Sequence, residues 1–193
     1  MPHSLGRLAA VAASSLSFQA PAAGMLMQPR AAVPAMALED MVGKYSIAKT
    51  VFDPLDLASK YDLNWLREAE IKHGRLCMLA FAGWITVDAG ITFPGPKFEG
   101  IKSLEAHDIA VANGSMWALL LFVSICEYKH MSIVVPKLDG DWGDWEPGNY
   151  KFDPFKLDSP RRREIELKNG RAAMLAFSGV VTQCALGHPA PYV

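Results

Sequence analysis

A chain of 193 residues allows one domain or two small ones, and 51% apolar residues lean it away from an ordinary soluble fold. A net charge of −1 gives no argument for nucleic acid or for an acidic substrate. Cys77, Cys126 and Cys184 lie inside apolar segments without CxxC spacing, so they read as small packing residues.

Residues 1–37 hold Arg7 and Arg30, no acidic residue, and many Ala, Ser and Pro. That is the composition of an organelle targeting segment, with processing expected near Pro34-Ala35-Met36-Ala37, and it is set apart from the fold. Residues 38–193 are read as a single domain. Their first part, 38–62, is polar and mixed. It carries Val51-Phe52-Asp53-Pro54-Leu55-Asp56-Leu57, whose Pro break predicts an ordered turn rather than a helix.

A first long helix is expected over about 63–90, capped by Asp62 or Asn64 and stopped ahead of Phe93-Pro94-Gly95-Pro96. About 28 residues at 1.5 Å rise span about 42 Å, more than the ~30 Å hydrocarbon core of a bilayer. Between 76 and 91 the only ionisable side chains are Cys77 and Asp88. A second span is expected over about 108–131, where the apolar run is broken only by Asn113, Gly114, Ser115 and Ser124. A third, over about 160–186, is opened by Asp158-Ser159-Pro160 with Pro in the first turn. The expected fold is therefore an all-α membrane protein with three transmembrane helices. Lys and Arg number four in 38–67, two in 93–107, seven in 129–163 and none after Gly187. The positive-inside bias then puts the N-terminal side and the long second connection on one face.

The first and third helices repeat one another. Glu70-Ile71-Lys72-His73-Gly74-Arg75 recurs ninety-six residues later as Glu166-Leu167-Lys168-Asn169-Gly170-Arg171, and 12 of 20 positions agree between 67–86 and 163–182. The agreement includes Met78-Leu79-Ala80-Phe81 against Met174-Leu175-Ala176-Phe177. The turn recurs too, as Lys151-Phe152-Asp153-Pro154-Phe155-Lys156-Leu157, so the whole unit reads as a duplication.

At a membrane edge an unpartnered ionisable group costs several kcal/mol, so Glu70, His73 and Arg75 need partners. Glu70 and Arg75 lie about 140° apart on one helix and are poorly placed to pair. If the helices cross about a pseudo-two-fold axis, a Glu70–Arg171 pair is matched by Glu166–Arg75. Gly74, Gly83, Gly170 and Gly179 are expected to let the backbones approach. A crosslink of this kind leaves His73 and Asn169 unexplained. His, Asn, Gln and an Arg-neutralised carboxylate can each offer one lone pair to a metal, the carboxylate through its second oxygen. A flat apolar macrocycle holding Mg fits such a helix flank, which points to a pigment-binding bundle.

These residues resemble the light-harvesting chlorophyll-binding superfamily: Glu-x-x-His-Gly-Arg and Glu-x-x-Asn-Gly-Arg, each followed by Met-Leu-Ala-Phe, with Gly148-Asn149-Tyr150-Lys151-Phe152-Asp153-Pro154 between them. The resemblance covers about 52–183. It implies chlorophyll ligands at Glu70, His73, Glu127, Glu166, Asn169 and Gln183, with His188 a lesser candidate, and interhelical partners at Arg75 and Arg171. Short connections resemble the chlorophyll a/c branch, which implies chlorophyll a, chlorophyll c and a carotenoid of the fucoxanthin or peridinin type. The implied setting is a plastid thylakoid membrane, multi-pass with the N-terminus stromal, among thylakoid lipids and neighbouring antenna proteins, passing excitation to a photosystem I or II core. No bond is made or broken on that reading, so no catalytic residue is expected. Two alternatives stand beside it: an energy-dissipating member of the same superfamily, and a carboxylate-bridged di-iron enzyme suggested by the repeated Glu-x-x-His pattern. Against the second, Asn169 replaces His and each motif carries an Arg that repels a dication pair. His107 and His130 are expected to be solvated edge residues, and Asp88 to mark an interface.

Overall fold

The computed structural model describes residues 38, 41–43, 51–139, 142 and 145–188; the targeting segment expected at 1–37 lies outside them. Four helices of more than one turn are described: α1, Leu63–Asp88; α2, Ser103–Ala112; α3, Ser115–Val134; and α4, Pro160–Ala185. A one-turn helix, Leu57–Lys60, precedes α1, and a 3-10 segment, Val135–Asp139, continues α3.

The two repeat units start alike. Asp62 accepts a hydrogen bond from the Trp65 amide at 3.0 Å and Ser159 one from the Arg162 amide at 3.4 Å, each relieving an orphan donor of the first turn. Ahead of each helix the Phe-Asp-Pro element is a turn. Asp53 accepts from the amides of Leu57 and Ala58 at 3.0 and 2.9 Å, and Asp153 from those of Leu157 and Asp158, both at 2.8 Å. Those backbone donors hold both carboxyls below their usual range, Ala58 contributing most at Asp53 and Leu157 most at Asp153.

α1 and α4 cross where Gly74 meets Gly170. A Cβ on either would lie 3.0 Å from the other's Cα, so only glycine allows this approach. Gly83 and Gly179 were expected to serve the same purpose and do not. Nothing stands within 4 Å of a Cβ built on either, because the helices diverge from the crossing. The small core follows α4 along Leu167, Ala173 and Val180, and Trp84 packs edge-on against Phe177 at 6.1 Å.

The middle helix departs from expectation. In place of one helix over 108–131 there are two, because Gly114 adopts φ 78° and caps α3 in the left-handed region that glycine enters freely. α2 begins early, at Ser103, whose amide donates to the Asp88 carboxylate at 3.0 Å; Asp88 thus joins the end of α1 to the start of α2. Among the described residues one helix, Ser115–Leu138, is long and apolar enough to cross a membrane by length and composition, and little of it is covered by the rest of the chain. α1 and α4 have 26 residues each but carry the charged motifs.

Candidate functional site

Four motif side chains converge at the Gly74–Gly170 crossing. Arg171 Nε donates to Glu70 Oε1 at 2.7 Å, and Arg75 Nε donates to Glu166 Oε1 at 2.6 Å. These exchanged contacts have the isologous form of a two-fold interface. They are not equivalent in surroundings. Glu70 Oε2 also accepts from Arg67 Nη1 at 2.6 Å, whereas the second oxygen of Glu166 has no partner among the described residues. The expectation of a free second oxygen thus describes Glu166; Glu70 has both oxygens engaged and only their remaining lone pairs to offer. Arg171 reaches further, to the Gly43 carbonyl at 2.9 Å, and Arg75 lies over the Tyr150 ring at 5.1 Å from its centroid.

His73 is exposed on the flank of α1, and its Nδ1 donates to the Ala69 carbonyl at 2.7 Å. A carbonyl only accepts, so the proton sits on Nδ1 and Nε2 keeps its lone pair directed away from its own backbone. Asn169 holds the corresponding place on α4 and is exposed. Leu76, three residues on from His73 and on the same face of α1, is 66% exposed, an apolar neighbour suited to a flat apolar ring. Gln183, also exposed, lies about 18 Å along α4 from Arg171 at 1.5 Å per residue. His188 is exposed just beyond that helix, its amide bonded to the Gln183 carbonyl at 3.0 Å. Neither joins the crossing.

Glu127 lies on α3, and Lys72 of α1 donates to its Oε2. Lys72 also approaches His130 Nδ1 at 3.2 Å, while His130 Nε2 meets Glu68 Oε1 at 2.8 Å. Lys can only donate, so His130 carries its proton on Nε2 and gives it to Glu68. His130 is therefore no solvated edge residue: its side chain is 12% exposed and both nitrogens are used, which also leaves it no lone pair for a metal. His107, in contrast, is 71% exposed.

Glu68 escaped the sequence reading. It is 1% exposed and accepts from the Gly148 amide at 2.6 Å and the Tyr150 hydroxyl at 2.9 Å as well as from His130. Burial, and then the hydrogen bond to Glu68, push the Tyr150 phenol up to about 12. The one signal available was the Gly148-Asn149-Tyr150 element, which has no counterpart before the first copy.

Two grooves flank the crossing. One, of about 390 Å³, is bounded by Phe52, Asp53, Leu57, Glu70 and Arg171; the other, of about 700 Å³, by Phe152, Asp153, Leu157, Glu166 and Arg75. The duplication is thus carried into the cavities. Among the described residues no three His, Cys, Asp or Glu side chains gather to hold a metal ion. A di-iron centre would need Glu70 and Glu166, and arginines engage both.

The family model for chlorophyll A-B binding proteins matches residues 34–185. Fucoxanthin-chlorophyll a-c binding protein A, chloroplastic, of Phaeodactylum tricornutum is 33% identical across 92% of this chain and 96% of its own. The D protein of the same organism is 34% identical across 79% and 82%. Light-harvesting complex stress-related protein 1, chloroplastic, of Chlamydomonas reinhardtii is 34% identical across 69% of this chain and 59% of its own. With its paired motifs inside the matched segment, the chain belongs to the chlorophyll A-B binding protein family.

Proposed function

We propose that this chain is a light-harvesting antenna protein of the chlorophyll a/c type. It holds chlorophyll a, chlorophyll c and a carotenoid in the plastid thylakoid membrane and passes excitation energy to a photosystem core, of type I or II, beside other antenna proteins. The names of the relatives favour a fucoxanthin-type carotenoid over peridinin. Three helices, α1, α3 and α4, span the membrane with the N-terminal side stromal. Axial ligands to chlorophyll Mg come from Glu70, His73, Glu127, Glu166, Asn169, Gln183 and, at the end of α4, His188. Arg171 and Arg75 hold the crossing and neutralise Glu70 and Glu166, so an uncharged macrocycle meets a charge-balanced donor.

The observation that carries this reading is α3. Over residues 116–126 α3 carries no charged side chain; a helical stretch that is apolar all round is stable only when covered, and this one is left almost bare by its own chain. Lipid and apolar pigments supply the cover. Chromatography of the pigments co-purifying with the protein tests it: chlorophyll a with chlorophyll c and a fucoxanthin-type carotenoid is expected, and excitation of the carotenoid should produce chlorophyll emission. Stoichiometric iron without chlorophyll would refute it.

A dissipating role is the second reading, favoured by the likeness to a stress-related relative. Chlorophyll fluorescence lifetime separates the two. A long lifetime that acidification of the lumenal face leaves unchanged belongs to harvesting, and a sharply shortened one to dissipation.

A further inference from the structure

We infer that Lys72 is the positioning residue that lets Glu127 bind chlorophyll, by neutralising that carboxylate from the neighbouring helix; this rests on the reading of Glu127 as a ligand. α3 cannot supply the counter-charge itself. Lys129, two residues on, points about 200° around the helix, and His130, one turn on, has both nitrogens committed to Lys72 and Glu68. Lys72 reaches across from α1 instead.

The contact leaves one carboxylate oxygen for the metal. Lys72 engages Oε2, and Oε1 of Glu127 has no partner among the described residues. An ammonium is a compact charge that satisfies one oxygen, whereas a guanidinium fork tends to take both. Lys72 is held in place by His130, which Glu68 anchors from its buried position between α1 and the 148–150 loop. Each of the three carboxylates proposed as ligands is thus neutralised by a cation from a different helix: Glu70 by Arg171, Glu166 by Arg75 and Glu127 by Lys72. At Glu166 and Glu127, which have no other cation among the described residues, pigment binding then requires that the helices have docked, which couples loading to assembly.

Pigment counting on the full chain refolded with chlorophyll a, chlorophyll c and fucoxanthin tests this in three variants. Glu127→Leu and Lys72→Met should lose the same chlorophyll, seen as the same missing band in difference absorption spectra. Lys72→Met/Glu127→Gln should regain it, because an amide oxygen is a neutral donor that needs no cation. A purely structural role for Lys72 predicts no such rescue. A full complement in Lys72→Met beside a loss in Glu127→Leu overturns the proposal and leaves the ligand reading standing. A full complement in Glu127→Leu overturns that reading and the proposal with it. If Lys72→Met does not refold, the double variant decides: the wild-type count supports the proposal, and a lower count or the same failure to refold overturns it.

Discussion

Replacing Arg75 by Leu should harm the protein more than replacing Arg171 by Leu, although the two arginines hold the same position in the repeat. Glu166 has Arg75 at 2.6 Å and no second cation among the described residues, while Glu70 has Arg171 at 2.7 Å and Arg67 at 2.6 Å on its other oxygen. Arg75→Leu therefore strands a carboxylate, whereas Arg171→Leu leaves one still paired. Removing one partner of a buried pair costs about 3–5 kcal/mol, and with each side chain about a third exposed the figure falls to about 2 kcal/mol. Loss of the contact with Tyr150 adds ~0.5 kcal/mol. Arg171→Leu gives up hydrogen bonds to Glu70 and to the Gly43 carbonyl, about 1 kcal/mol with Arg67 still in place. The gap of roughly 1.5 kcal/mol corresponds to about 3–6 °C in melting midpoint for a chain of this size. Reconstituted variants melted under visible circular dichroism, with pigments counted beforehand, measure it. The pigment at Glu166 should be lost in Arg75→Leu, and that at Glu70 largely kept in Arg171→Leu. Equal midpoints, or a lower one for Arg171→Leu, would refute the reasoning.

His73→Leu should remove about one chlorophyll and shift stability by no more than ~0.5 kcal/mol, because the side chain is exposed and bonds only its own helix. Loss of every pigment would make His73 structural. Gly170→Val should cost about 1–3 kcal/mol by thermal melting, since its Cβ meets Gly74 Cα at 3.0 Å. Gly83→Ala, with open space at its Cβ, should be neutral or gain ~1 kcal/mol in the pigment-free chain. Alkaline melting tests Tyr150. Its folded pKa is raised, so its contribution is full below the unfolded value of about 10 and is lost as pH rises through about 12. The wild-type midpoint should fall across that window more steeply than that of Tyr150→Phe.

The motifs that build the crossing were legible because they are local and repeated. Glu70, Gly74 and Arg75 can be matched to Glu166, Gly170 and Arg171 on paper, and helix geometry then demands a partner from the other copy. Gly83 and Gly179 match equally well and touch nothing, since identity in a repeat does not say where two helices separate. The break at Gly114 was missed because hydropathy averages over Asn113-Gly114-Ser115, whereas the chain turns on one positive φ. Glu68 and His130 were missed for a different reason: their partners lie 62 to 82 residues away on elements with no repeat to announce them.

The asymmetry between the copies has a physical cause that residue identity hides. Arg67, Glu68 and Lys72 correspond to Arg163, Glu164 and Lys168, the same residue types at the same spacing. Yet Arg67 turns to Glu70, while Arg163 turns outward to Asp158 and Glu146. Glu68 is buried under His130 and Tyr150, while Glu164 sits at the surface with Lys168 at 2.7 Å. Lys72 reaches Glu127, and Lys168 reaches only its own helix. A single α3 cannot pack against two symmetry-related helices in the same way. One copy therefore receives it and the other meets the surface, and the same three side chains become a docking site in the first and a solvated flank in the second. The matched two-fold contacts are confined to the crossing, where Glu70 meets Arg171 and Glu166 meets Arg75.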